Sequence, residues 1–215
     1  MAKSLKQKNQ PHLVMFVVAN VFGLGAIAFG VPHLLTMVEQ LTKGNWEILG
    51  RLIAVPALIT VITGIVGWAT PGGGKEALIF WKFGKNCLPS SRAFTVLGPR
   101  DARVDMQRLV QNHGTLPTFA AEQTSLWYGL YRSHANEVSV EDAHGAYLRY
   151  REMTTLAFAL ILAFVCGFLC FHFQTKSLAV GISVLIVEYL LLVAAARNAA
   201  VHFVVNVLAI ESAEL

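Results

Sequence analysis

Charge is what this sequence has least of. Only 14% of its 215 residues are Asp, Glu, Lys or Arg, where soluble domains carry about 25%. The deficit comes from long apolar runs and excludes an ordinary soluble domain. Cysteine is equally scarce. Cys87, Cys166 and Cys170 are an odd number and give no disulfide framework. Cys166 and Cys170 stand one turn apart with His172 just after, but two soft ligands need more from elsewhere to hold a metal, so packed or lipid-facing thiols are the reading. Motifs that carry chemistry are missing too. There is no HExxH, no nucleophile elbow and no phosphate loop, and Gly72-Gly73-Gly74-Lys75 lacks the spacing and strand context of one. His113, His134 and His144 fall in three separate segments. No catalytic residue, cofactor or metal is therefore expected. The start, MAKSLKQKNQPH, is basic, but the apolar run after it is long and lacks a small-residue cleavage site, which argues against a signal peptide.

What the chain does have is hydrophobic length, with 55% apolar residues. Leu13–Val31 is the first apolar run; it contains Asn20 and meets Pro32-His33, which end or kink it. Residues 34–50 read as a mixed loop. Leu52–Ala69 is the second run, with Pro56 in its first turns, and it stops at Thr70-Pro71-Gly72-Gly73-Gly74. Met153–Phe171 carries no charge over 19 residues, about 28 Å at ~1.5 Å per residue, against a bilayer core of roughly 30 Å. Leu178–Ala196 is the fourth run and contains Glu188. The expected fold is all-α: four transmembrane helices with a small helical cytoplasmic domain inserted between spans 2 and 3. The segments are a basic N-terminus (1–12), spans 1 and 2 (13–71), the polar domain (72–152), spans 3 and 4 (153–197) and a helical tail (198–215).

Basic residues orient this arrangement. Fourteen lysines and arginines would share the side of the termini and the polar domain, leaving Lys43, Arg51 and Lys176 on the other. The positive-inside rule then places both termini and the domain in the cytoplasm of a bacterial inner membrane, with Trp68, Tyr147 and Tyr150 near the inner interface and Trp46 near the outer one.

Ser139–Phe171 organises the rest. Ser139 and Asp142 match a capping box, Val140, Ala143, Tyr147 and Tyr150 share a helical face, and no proline interrupts the run into lipid. One helix, aqueous first and buried in the bilayer second, would join domain to membrane rigidly. Within the domain, Glu76–Lys85 alternates aromatics with lysines and would lie flat among headgroups or form core. Residues 85–100 lack a helical period and read as a loop. Asp101 is expected to cap a helix over 102–113, with Met106, Leu109, Val110 and His113 on one face. Pro117-Thr118 would open another, with Phe119, Leu126, Trp127 and Leu130 facing the core.

Glu188 is the sharpest site candidate, since a mid-span acid costs about 2.5–3.5 kcal/mol on insertion scales and so faces the bundle or water. It would serve an ion or proton path, or bond a neighbour such as Asn20 or Ser183. Asn198, His202 and Asn206 form a stripe one turn apart, at a pore mouth, against a partner, or as the solvated face of an amphipathic helix. Asp101, Arg103, Asp105 and Arg108 crowd one helix start, as a partner surface or as a cap with salt bridges. Ala19 and Gly23, Ala26 and Gly30, and Ala159, Ala163 and Gly167 repeat at four-residue spacing and favour close helix packing. Ten basic residues in the polar domain are offset by eight acidic ones, so direct nucleic-acid binding is not expected.

The segments FWKFGKNCLPSSRAF, RDARVD, EQTSLWYGLYR, AHGAYLRYREM and ARNAAVHFVVNVLA resemble small uncharacterised four-span bacterial membrane proteins, and chains of this build resemble the membrane components of anti-phage defence systems. The resemblance covers mainly residues 80–153 and 196–209. It implies a sensor or membrane-disrupting effector in phage infection, and it assigns no residue a role. The expected protein is a non-enzymatic homo-oligomer in the bilayer whose cytoplasmic domain binds a protein partner. A channel or transporter using Glu188, or a membrane enzyme using the cytoplasmic histidines and acids, are the other classes open at this point.

Overall fold

The computed structural model describes residues 5–43, 74–82, 87–171 and 175–213. Every regular element among them is helical. In chain order these are α1 (Leu5–Phe29), α2 (Val31–Thr42), α3 (Gly74–Phe80), three short helical turns, α4 (Met106–His113), α5 (Ala120–Ser133), α6 (Val138–Phe171) and α7 (Thr175–Ala213). Two helices contain stretches long and apolar enough to cross a membrane, Gln7–Ile27 in α1 and Lys176–Ala213 in α7. Four spans are not shown. The expected second span, Leu52–Ala69, lies outside the described residues, as do Trp46, Trp68 and His172.

The two long helices set the architecture. α6 has 34 residues and α7 has 39, about 51 Å and 58 Å at ~1.5 Å per residue. They pack against each other, and α1 lies against both. At one end of α1, Lys8 pairs with Glu141 and Asn9 donates to the Gly145 carbonyl at 2.8 Å. Farther along, Leu24, Leu160 and Leu185 form a small apolar core with Phe16, Val21 and Phe164 around it. Gly181 lets α7 approach there, because a Cβ would collide with the Phe164 ring.

A second, larger core is built from the other halves of α6 and α7. Val140 and Tyr147 of α6, Trp127 and Leu130 of α5, Leu109 of α4, and Phe203, Val204, Val207 and Leu208 of α7 are among its buried members. Residues 198–213, expected as a helical tail, are thus the continuation of α7, and they carry much of this core.

Several local expectations are corrected. Part of the 34–50 loop is helix: α2 runs to Thr42, and Gly30 makes the break before it at φ 82°. Pro32 stands in its first turn, where the missing N–H costs nothing. α6 begins at Val138, so Ser139 lies inside the first turn and does not cap it. Asp105, not Asp101, caps α4; its carboxylate accepts from the N–H groups of Gln107 and Arg108. The 85–100 loop is instead helical over its described part from Pro89: a 3-10 turn at Pro89–Arg92, a π turn at Ala93–Leu97 and a single α turn at Gly98–Arg100. α5 opens at Ala120, and Phe119, expected in the core, is 72% exposed. Of the two readings of Glu76–Lys85, burial of Ala77 and Ile79 makes the α3 face core.

Candidate functional site

Glu188 sits about a third of the way along α7, beside α1. Its Oε1 accepts from Asn20 Nδ2 at 3.1 Å, and the same nitrogen lies 3.1 Å from the Phe16 carbonyl. Glu188 Oε2 is buried and has no hydrogen-bond partner. The two residues line a groove of about 580 Å³ between α1 and α7, with Gly23, Ser183, Val187 and Leu191 among the other lining residues. Among the described residues, no basic side chain lines it. The two polar candidates of the apolar runs, Asn20 and Glu188, are therefore neighbours, 168 positions apart in sequence.

The stripe on α7 divides. Asn198 and His202 are exposed and line a smaller groove of about 320 Å³ floored by Ala143, Ala146, Ala195 and Ala199. Asn206 instead joins the acidic-basic cluster. Arg103 grips Asp101 through Nε and Nη2, each at 3.0 Å, and donates from Nη1 to Asn206 Oδ1 at 3.0 Å. Asn206 Nδ2 in turn donates to the Ser139 carbonyl at 3.0 Å. Asp105 donates its backbone N–H to Ser212 Oγ at 3.1 Å, and Arg108 lies 3.6 Å from Asp105. These residues tie the loop before α4, the start of α6 and the end of α7 into one joint.

A cluster absent from the sequence reading lies near that end. Glu211 of α7 receives two histidines, His113 Nε2 at 2.8 Å on Oε1 and His134 Nε2 at 2.7 Å on Oε2. Burial alone would raise the Glu211 carboxyl, but the hydrogen bonds from His134 and His113 outweigh it and hold the carboxyl below the ordinary glutamate value. His144 is elsewhere. Its Nδ1 lies 3.1 Å from the Tyr131 hydroxyl and its ring stacks on Phe203 at 4.6 Å. Burial, and then the Arg151 charge, push its imidazole below the ordinary histidine value. Among the described residues, no group of three or more His, Cys, Asp or Glu side chains is placed to hold a metal.

Where the two cores meet, α3 is fastened to both long helices. Lys75 and Arg151 reach Glu152 at 2.8 Å and 2.9 Å, and Arg151 also reaches Glu76 at 3.4 Å. Glu76 Oε2 and the Tyr147 hydroxyl are buried there without hydrogen-bond partners. Burial, with the Glu76 charge adding to it, pushes the Tyr147 hydroxyl up to about 12. The last carbonyls of α3 are satisfied from α7: Tyr189 Oη donates to Leu78 at 2.6 Å and Arg197 Nε to Ile79 at 2.7 Å. Trp81 follows at φ 52°, the left-handed form that closes many helices, and the Arg197 guanidinium lies 4.4 Å from its ring centre.

Gln123 also escaped the sequence reading. It is 1% exposed and closes the π turn. Its Oε1 accepts from the Phe94 and Thr95 N–H groups at 3.1 Å and 3.3 Å, and its Nε2 donates to the Thr118 carbonyl at 2.8 Å. A polar residue amid the α5 pattern was the available signal, but the partners of its Oε1 lie 28 and 29 positions away. No protein-family model matches the chain, and neither does any curated protein or solved structure.

Proposed function

We propose that this chain is a non-enzymatic, oligomeric, multi-pass protein of the bacterial inner membrane, with four spans, cytoplasmic termini, and a cytoplasmic domain that binds a protein partner and passes a signal to or from the membrane bundle. The observation that carries this reading is the length of α6 and α7. Each exceeds a bilayer core of roughly 30 Å by about 20 Å or more. Each also contributes one half to the small apolar core and the other half to the larger one. With the third span at Met153–Phe171 and the fourth at Leu178–Ala196, displacement of the domain tilts or turns both spans without a hinge between. The resemblance to anti-phage membrane components makes sensing or causing membrane injury during infection the process to examine. An ion or proton path through Glu188 is the second reading, favoured by its unpartnered oxygen. Against it, among the described residues no other ionisable side chain lines the groove to continue a relay.

The test separates stiffness from packing. Met153→Gly with Leu156→Gly softens α6 at the membrane boundary, by about 1 kcal/mol per glycine relative to alanine. Met153→Ala with Leu156→Ala removes the same contacts and keeps the helix stiff. Cells expressing the protein with its native neighbours are scored for survival under phage challenge and for dye entry. The glycine pair should insert normally and lose activity, while the alanine pair keeps it. Full activity of the glycine pair would mean the domain is merely tethered.

A further inference from the structure

The groove between α1 and α7 is apolar apart from Asn20, Ser183 and Glu188. Ala19 and Gly23 give it depth, since neither puts a long side chain into it. Its volume of about 580 Å³ lies within the roughly 300–1,000 Å³ usual for small-molecule sites. Its rim residues Val187 and Leu191 are exposed, so in the membrane reading the groove opens sideways to hydrocarbon.

Glu188 decides what such a groove accepts. One carboxylate oxygen has the Asn20 amide, the other has no donor, and among the described residues no lysine, arginine or histidine lines the space. A carboxylate among apolar walls is costly unless a positive charge accompanies it. A small metal cation does not fit the requirement, because it demands several oxygen ligands in place of its water. A primary ammonium brings three N–H donors to a groove with few acceptors. A quaternary organic cation needs neither: its charge is buried in its own hydrocarbon, and it asks only for one opposite charge and apolar contact. We infer that the α1–α7 groove is a binding site for lipophilic monovalent organic cations, entered from the bilayer, with Glu188 as the counter-charge. The inference rests on the membrane placement of α1 and α7 and goes beyond the coupling role, which does not require it.

The experiment uses full-length protein in detergent micelles and radiolabelled tetraphenylphosphonium in equilibrium dialysis. Saturable binding near one probe per chain is expected. Glu188→Gln should weaken it by about tenfold or more, the loss of one buried charge contact being worth at least ~1.4 kcal/mol. Val187→Trp fills the groove while leaving the carboxylate, and should weaken it as well. A second lipophilic cation should compete, and neutral triphenylphosphine oxide should not. Absence of saturable binding to the unaltered protein would overturn the inference, and would fit a groove closed by the chain itself or by a second copy. Equal binding by Glu188→Gln, or equal competition by the neutral compound, would overturn it too. Size-exclusion profiles and circular dichroism check the variants, and if Glu188→Gln does not fold, Val187→Trp and the neutral competitor decide. Loss of binding leaves the glycine-pair result untouched, so the two readings fail separately.

Discussion

At the scale of single residues, the buried polar groups of the polar domain carry the sharpest expectations. Replacing Gln123 with alanine strips the Phe94 N–H and the Thr118 carbonyl of their partners. A buried polar group left unsatisfied costs about 1–3 kcal/mol, so the variant should lose roughly 2 kcal/mol or more in thermal or urea unfolding followed by circular dichroism. A loss below about 0.5 kcal/mol would mean water replaces the amide. Two titrating groups give a pH signature. His144 is held below its ordinary value, so acidification past about pH 6.5 protonates the unfolded chain first and stability falls. Glu211 is also held low, so its contribution is complete above about pH 4.3 and disappears as pH drops through its folded value. The unfolding midpoint should therefore fall in two stages on acidification. His144→Phe should flatten the upper stage and Glu211→Gln the lower one. A lower stage unchanged in Glu211→Gln would remove the histidine pair as its cause.

At the scale of elements, legibility followed how local each signal is. α6 was readable because a face of Val140, Tyr147 and Tyr150 passes into an uncharged run with one helical period throughout. Residues 89–100 were not, because 3-10, π and α turns follow one another with different residues per turn, and no single period survives the mixture. α2 was missed because Pro32 reads as a breaker, although Gly30 makes the break and the proline begins the next helix. The Glu188–Asn20 contact was foreseeable, since a mid-span acid seeks a polar neighbour and Asn20 was one of few. The Glu211 cluster was not, since its histidines lie 98 and 77 positions away and nothing periodic links them. Gly98 tests the irregular segment. A Cβ there would meet Met106 Sδ at 2.7 Å and the Ala93 carbonyl oxygen at 3.1 Å. The sulfur can swing aside, but the carbonyl belongs to the π turn. Gly98→Ala should cost about 1–3 kcal/mol, the range for overpacking, and a neutral result would show that the turn can shift.

At the scale of the whole molecule, one asymmetry supports the proposed orientation. Of 17 basic residues, fourteen belong to the N-terminus, the polar domain and Arg197. Nine of these, Lys3, Lys6, Lys8, Lys75, Lys82, Lys85, Arg149, Arg151 and Arg197, stand within about 20 residues of the proposed span ends, against Lys43, Arg51 and Lys176 on the other side, and a bias so placed favours the cytoplasm. The packing adds a separate argument. Lys8 meets Glu141 and Asn9 meets Gly145, so the start of α1 lies against the domain half of α6. Asp105 and Asn206 tie the far end of α7 to the same domain. In the proposed membrane arrangement the start of α1, residues 101–142 and the end of α7 therefore share one side of the bilayer, and a single measurement locates all three. The site for a reporter follows from exposure. Ser91 is 3% exposed and would not tolerate an insertion, whereas the loop at Gly114–Thr115, after α4, is exposed. Alkaline phosphatase inserted after Thr115 should be inactive and green fluorescent protein at the same place should fluoresce. A fusion after Leu215 should behave identically. Active phosphatase at both places would put the domain outside the cytoplasm and remove its proposed partner surface. Opposite results at the two places would instead break the packing of α7 against the domain, because one folded unit cannot straddle the membrane.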